Sequence, residues 1–118
     1  MAPHHEIRVE ATTPTVAAEG EVYIRLIGEF DIATEEELAA CLFEACSASR
    51  VEVDLTDVSF LDASTVRMLV AGCARVRSTG GAFAVGRVDG MPRRVLELLD
   101  VLEYLRADFT PPSARLIA

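Results

Sequence analysis

The segment SFLDASTVRMLV, residues 59–70, holds the side chains whose types and spacing are most suggestive of chemistry. It places Ser64 two residues after Asp62, at the predicted start of a helix. A serine at such a position can cap the helix, act as a nucleophile, or be modified by another protein. The remaining sequence limits these three roles.

Catalysis by Ser64 would need a general base within hydrogen-bonding reach of its hydroxyl. The two histidines, His4 and His5, lie in an N-terminal extension that we expect to be frayed, and the Gly-x-Ser-x-Gly pattern of a nucleophile elbow does not occur. Two adjacent histidines without further ligands do not predict a metal site either. The sequence therefore predicts neither an enzyme nor a metal-binding protein.

The absence of lysine excludes several further sites, since all eleven basic residues are arginine. A phosphate-binding loop needs Gly-x-x-x-x-Gly-Lys, and the Gly-x-Gly-x-x-Gly fingerprint of dinucleotide-binding domains does not occur either. Asp54, Asp57 and Asp62 lie near predicted strand ends, as in phosphorylatable receiver domains. Receivers resemble one another in using a lysine near the last strand, so that class is excluded. We expect no cofactor.

Two further acidic candidates, Glu29 and Asp31, stand in GEFDIAT, directly after a strand predicted to end at Gly28. Loops at the carboxyl ends of strands are where α/β domains place functional groups. Asp31 also has a structural interpretation, because aspartate helps to turn a chain into a helix. Asp62 also has a structural interpretation, as the N-cap of the next helix. An N-cap of this kind stabilises a helix by about 1 kcal/mol. Both interpretations of Asp31 remain open.

Length and charge limit the class of protein. The 118 residues fit one domain, 1–118, with a core at about 6–107 and loosely ordered ends at 1–5 and 108–118. The net charge of −8 argues against direct binding to nucleic acid, which needs a basic surface. No segment approaches the roughly 18 apolar residues of a membrane span, and no secretory leader is visible. With three cysteines and no C-x-x-C spacing, we expect a cytoplasmic protein with reduced thiols.

Hydrophobic periodicity predicts alternating strands and helices. The predicted strands cover 6–11, 22–28, 51–55 and 82–86, and the predicted helices cover 34–48, about 62–79 and 92–99, with a short element of unassigned type around 103–106. This β-β-α-β-α-β-α order predicts an α/β domain whose main strands are parallel and joined by right-handed crossovers.

Two local predictions concern the candidate site. Thr34 and Glu37 have the spacing of a capping box, which predicts that Thr34 caps the first helix. The segment TDVSFLD, residues 56–62, is predicted to be a turn between a strand and the next helix. In that helix, an apolar stripe predicts a buried face made of Val66, Leu69, Val70, Cys73 and Val76.

Several of these pieces together resemble the STAS domain of bacterial anti-sigma factor antagonists, over about residues 22–105. The most specific part is an Asp-Ser/Ala-Ser motif after a strand and a hydrophobic residue, matched by Asp62, Ala63 and Ser64. A Gly-Glu-hydrophobic-Asp motif at residues 28–31 supports it. The resemblance implies a single STAS domain of the α/β class, with a mainly parallel central sheet of repeated βα units and an N-terminal antiparallel edge strand.

The resemblance also implies a function in partner switching. Members of the family bind an anti-sigma factor with serine kinase activity and thereby release a sigma factor for transcription. The kinase inactivates the antagonist by phosphorylating the serine that matches Ser64, and a serine phosphatase restores it. Asp31 would lie close to Ser64 and help the partner to recognise it. The residues that the resemblance assigns to partner binding are Glu29, Asp31, Asp62, Ala63, Ser64 and Thr65.

The chain departs from the family pattern directly beside the serine. Thr65 stands where the family usually has glycine, and Ala63 replaces a common serine. A β-branched residue at position 65 removes the close backbone approach that glycine permits. Thr65 is itself a second candidate for phosphorylation. The alternative function is a stand-alone STAS module that binds a nucleotide or lipid, or that scaffolds a transport or sensory complex.

Overall fold

A computed structural model describes residues 4–11 and 20–109 of the chain. Residues 1–3, 12–19 and 110–118, which include most of the two ends predicted to be loosely ordered, lie outside the described part. In chain order the elements are β1 (His5–Ala11), β2 (Glu21–Phe30), a 3-10 turn (Ile32–Thr34), α1 (Glu35–Ala45), β3 (Arg50–Leu61), α2 (Ala63–Ser78), β4 (Ala82–Val85), α3 (Gly90–Leu98) and α4 (Leu102–Arg106).

The four strands form one sheet in the order β1-β2-β3-β4. β1 runs antiparallel to β2, whereas β2, β3 and β4 are parallel to one another. This arrangement confirms the predicted α/β fold with an N-terminal antiparallel edge strand. Because side chains alternate along a strand, Ile24, Val53 and Val85 lie in register on the apolar face of the sheet.

The hydrophobic core lies between that face of the sheet and the helices. Leu38 and Leu42 of α1 join one cluster with the buried residues of the strands, as does the predicted stripe of α2, in which Val70 alone is only partly buried. All three thiols are free, and burial raises the pKa of the Cys41 and Cys73 thiols. Across residues 4–11 and 20–109, no helix combines the length and apolarity that a membrane crossing requires.

The prediction of a turn at residues 56–62 is wrong, because β3 continues to Leu61. Val58 and Leu61 are buried while Asp57 and Phe60 are not, so burial here departs from strict alternation. The pairing of β2 with β3 shifts register twice in this region, between Arg25 and Ile27 and between Gly28 and Glu29. Such irregularities insert extra residues and break the two-residue period by which a strand is identified in a sequence.

Gly28 allows the start of β1 to lie closely against β2. Its φ of 96° falls in the left-handed region, and a Cβ at this position would be 2.1 Å from the carbonyl oxygen of His4. That carbonyl accepts a hydrogen bond from the Glu29 amide at 2.8 Å. β1 therefore begins at His5, one residue earlier than predicted, and its start lies beside the end of β2.

Candidate functional site

The carboxyl ends of β2 and β3 lie side by side and lead into two adjacent corners. Phe30 is in register with Leu61, and the Asp62 amide donates a hydrogen bond to the Phe30 carbonyl oxygen at 3.3 Å. Asp31 directly follows β2, and Asp62 directly follows β3. The two aspartates therefore begin neighbouring turns at one edge of the sheet. The two motifs predicted from the sequence are brought together here.

Asp62 is the N-cap of α2, as predicted. Its Oδ1 accepts hydrogen bonds from the Thr65 amide at 3.0 Å, the Ser64 hydroxyl at 2.7 Å and the Thr65 hydroxyl at 3.2 Å. One carboxylate oxygen thus anchors both hydroxyl side chains of the first helical turn. The arrangement holds the Ser64 Oγ in a defined position at the helix N-terminus.

The two hydroxyls differ in exposure. Ser64 is partly exposed, whereas Thr65 retains only 2% of its accessible surface. Thr65 lies four residues before Leu69 and eight before Cys73, both fully buried, so it belongs to the buried stripe of α2. That spacing is visible in the sequence and could have predicted the burial of Thr65. The side chain of Ser64 is less free than expected, because its hydroxyl donates to Asp62.

Ser64 lies between an ionised carboxylate and groups that stabilise negative charge. Burial raises the pKa of Asp62, but the hydrogen bonds from Thr65 and Ser64 outweigh it and hold the pKa below its usual value, so the carboxylate stays ionised. The described first turn of α2 carries no acidic side chain, and the exposed Arg67 lies three residues after Ser64, on a neighbouring position of the helix surface. The positive end of the helix dipole adds to this effect.

Asp31 forms a different kind of corner. Its Oδ1 accepts the Ala33 amide at 2.9 Å, while Thr34 Oγ1 accepts the Asp31 amide at 3.1 Å and donates to the Asp31 carbonyl oxygen at 2.9 Å. The capping box therefore joins Asp31 and Thr34, and the predicted box of Thr34 with Glu37 is wrong. The 3-10 turn before α1 directs the Thr34 hydroxyl back towards Asp31.

Glu29 and the two histidines extend this edge. Glu29 Oε2 lies 3.7 Å from His4 Nδ1, and His5 Nε2 lies 2.6 Å from Glu37 Oε2. The His5 ring also packs edge-on against Phe30, with ring centroids 5.6 Å apart. Sequence reasoning assigned these histidines to a frayed end, because the antiparallel register that brings them here is not visible in a single sequence.

Two exposed apolar side chains flank the two aspartates. Ile32, directly after Asp31, keeps 73% of its surface, and Phe60, two residues before Asp62, keeps 37%. Their exposure follows from the 3-10 turn and from the irregular end of β3, neither of which is visible in the hydrophobic pattern of the sequence. The candidate site is thus a partly exposed serine, two aspartates and an apolar border.

A family model described as STAS domain matches residues 12–114 of the sequence. The match spans most of the chain, and the chain therefore belongs to the STAS domain family. Comparison with curated proteins finds no significant match.

Solved structures share the fold at low sequence identity. The anti-sigma factor antagonist SpoIIAA in its unphosphorylated form has a TM-score of 0.63 and 22% identity, covering 79% of this chain and 83% of that one. The phosphorylated form of SpoIIAA, a Bacillus cell fate determinant, has a TM-score of 0.65 and 21% identity, covering 93% and 98%. An anti-sigma factor antagonist from Mycobacterium paratuberculosis has a TM-score of 0.73 and 19% identity, covering 98% and 95%.

Proposed function

We propose that this protein is an anti-sigma factor antagonist that binds an anti-sigma factor with serine kinase activity and is switched off by phosphorylation of Ser64. A serine phosphatase would reverse the switch, and the protein would act in the cytoplasm without catalytic activity of its own. The observation that carries the proposal is the partly exposed Ser64 hydroxyl at the N-terminus of α2, held by Asp62 beside Asp31. The similarity of the protein's fold to the folds of solved antagonists supports the proposal.

Ser64 is the better phosphoacceptor of the two hydroxyl residues. In the transfer, Ser64 Oγ bonds to the γ-phosphorus of ATP held by the kinase, the bond from that phosphorus to ADP breaks, and the hydroxyl proton passes to a base of the kinase. The Thr65 hydroxyl is buried and directed at Asp62 Oδ1, so an approaching nucleotide would have to displace the first turn of α2 to reach it. Ser64 needs only to give up its bond to Asp62.

The folded domain should tolerate the phosphate. Phosphorylation adds about −1.5 to −2 charges and three acceptor oxygens, which helix N-termini and nearby arginines stabilise. Arg67 lies one turn along the same helix surface. The lost hydrogen bond from Ser64 to Asp62 leaves the two bonds from Thr65 in place, so Asp62 still caps α2.

The partner surface is where the phosphate would act. We assign it to Glu29, Asp31, Asp62 and Ala63 around Ser64, with the exposed side chains of Ile32 and Phe60 supplying apolar contact area. A dianion on Ser64 lies against the Asp62 carboxylate and in the middle of this surface. It repels acidic groups of the partner and prevents close packing.

The test compares partner binding and thermal melting of Ser64→Ala and Ser64→Asp. We expect Ser64→Ala to bind the kinase-type anti-sigma factor and Ser64→Asp to bind about 100-fold more weakly, because like charges juxtaposed at an interface cost several kcal/mol. Both should melt within a few degrees of the parent protein. Ser78→Ala and Ser78→Asp are the controls, since Ser78 is exposed at the opposite end of α2, away from this surface. A large loss of stability in Ser64→Asp with binding intact would contradict the proposal.

A further inference from the structure

The two edges of the sheet are protected differently. At the outer edge of β4, the Phe83 amide donates to Asp108 Oδ2 at 3.1 Å, and the Phe83 carbonyl oxygen accepts Arg77 Nη2 at 3.2 Å. Arg77 and Asp108 also bond to each other at 3.0 Å. Side chains thus occupy both backbone groups that Phe83 would offer to another strand, and this obstructs strand pairing at the outer edge of β4.

Among the residues that the structure describes, none covers the outer edge of β1 in this way. Within residues 4–11 and 20–109, β1 pairs with β2 alone and stands at the end of the sheet. The bond from the Glu29 amide to the His4 carbonyl oxygen shows which residues of β1 direct their backbone N–H and C=O groups at β2, because hydrogen-bonded pairs alternate along an antiparallel ladder. By that alternation, the backbone groups of His5, Ile7 and Val9 point away from the sheet.

The charges of β1 complement those of a second copy. We propose that β1 pairs antiparallel with β1 of another molecule of this protein, about a two-fold axis at Ile7. In this register Ile7 faces Ile7 of the partner subunit, and His5 faces Val9 of the partner subunit. Glu6 lies opposite Arg8 of the partner subunit, and His4 lies opposite Glu10 of the partner subunit, each twice by symmetry.

Other registers that preserve the same hydrogen-bonding residues are less favourable. Moving the axis to Arg8 places Glu6 opposite Glu10 of the partner subunit and Arg8 opposite its own symmetry mate. Moving it to Glu6 places that glutamate opposite its own symmetry mate. Like charges directly opposite are destabilising, and opposite charges are stabilising. An axis at Val9 retains the pairs of Arg8 with Glu10 of the partner subunit. It leaves Glu6 without an arginine opposite it, and fewer residues of β1 take part in the pairing.

The exposure of the strand agrees with this pairing. Glu6 and Arg8 keep half or more of their side-chain surface, so both can reach a neighbouring strand by exchanging their mutual bond at 2.5 Å for bonds of the same kind across the interface. Val9 keeps 53% of its surface although it lies on the apolar face, in register with the fully buried Ile24. Strand addition would cover Val9 and join two four-stranded sheets into one of eight.

The test measures the mass of the whole protein in solution by sedimentation over a concentration series at fixed ionic strength. We expect a concentration-dependent dimer. Glu6→Arg and Arg8→Glu should each raise the dissociation constant about tenfold or more, because each turns two attractive pairs into repulsive ones. The double variant Glu6→Arg with Arg8→Glu should restore the dimer, since it exchanges the charges of each pair. Arg94→Glu, an exposed site on α3, makes the same change in net charge as Arg8→Glu and should leave the dimer intact.

The double variant keeps the test independent of folding, since only a specific pairing regains affinity when both charges are exchanged. A monomer at every concentration up to about 1 mM, where pairs weaker than about 4 kcal/mol dissociate, would overturn the proposal. The proposal would also be overturned if the single charge reversals left the dissociation constant of the dimer unchanged, or if the double variant failed to restore the dimer.

Discussion

At the corner after β2, the Thr34 hydroxyl bonds to the backbone of Asp31 and the Asp31 carboxylate accepts from the Ala33 amide, so these polar groups are used within the turn. At the corner after β3, Asp62 instead accepts from two hydroxyl side chains, one of which, Ser64, stays partly exposed. Both corners begin with an aspartate at the end of a parallel strand. The first is a closed structural turn, and the second presents a hydroxyl group at its surface.

The charges around the two corners differ as well. The first turn of α1 carries Glu35, Glu36 and Glu37, which complement the helix dipole but would repel an added phosphate. Around α2, an arginine follows Ser64 by one turn and the described first turn has no acidic side chain. Both aspartates turn the chain into a helix, and the residues that follow them make the two corners different surfaces for an added phosphate.

Removal of the two carboxylates should separate the corners. We expect Asp62→Ala to lower the free energy of unfolding by about 2 kcal/mol, because it removes the cap and leaves the buried Thr65 hydroxyl without its acceptor. Asp31→Ala should cost about 1 kcal/mol, the typical value for an N-cap. Chemical denaturation of the three proteins measures the differences.

Asp89→Ala is a matched control for these variants. Asp89 precedes α3 in an extended conformation, as Asp62 precedes α2, but makes no side-chain cap hydrogen bond there. Its removal should change stability by less than about 0.5 kcal/mol, as is usual for surface substitutions. Equal losses in the free energy of unfolding in all three variants would contradict this expectation, because they would show that the contacts of Asp62 contribute no more than those of the other two aspartates.

The charge of Asp62 should make a smaller, pH-dependent contribution. Because its pKa is lower in the folded protein, ionised Asp62 stabilises the fold above the ordinary aspartate pKa of about 3.9, and this stabilisation is lost as the pH falls through the folded pKa. Asn caps helices almost as well as Asp, so Asp62→Asn isolates the charge. The stability difference between the parent protein and Asp62→Asn should shrink as the pH falls below about 4. A gap that widens on acidification would contradict this assignment.

Much of the fold follows from the sequence because its signals are local. The apolar stripe of α2 and the position of Asp62 before it predict the helix and its cap. The end of β3 could not be predicted in this way, because two register shifts against β2 disturb the alternation of Asp57, Val58 and Phe60. The close approach of His4 to the end of β2 could not be predicted either, because it depends on contacts between residues far apart in the sequence.

The candidate site was predictable to a similar degree. The motif resemblance selects Asp31, Asp62 and Ser64, and the parallel strands bring their corners together. What sequence reasoning left open was the choice between Ser64 and Thr65. Three-dimensional packing bears on that choice, since Thr65 faces the core beside Leu69 while Ser64 remains accessible.

The most direct measurement is the position of the phosphate after incubation of the protein with ATP and the kinase-type anti-sigma factors of its own organism. Fragmentation mass spectrometry of the parent protein, Ser64→Ala and Thr65→Val distinguishes the two hydroxyls. We predict a single phosphate on Ser64, retained in Thr65→Val and absent from Ser64→Ala. Phosphate on Thr65, phosphate retained in Ser64→Ala, or no phosphate in the presence of a kinase shown to be active would contradict the account.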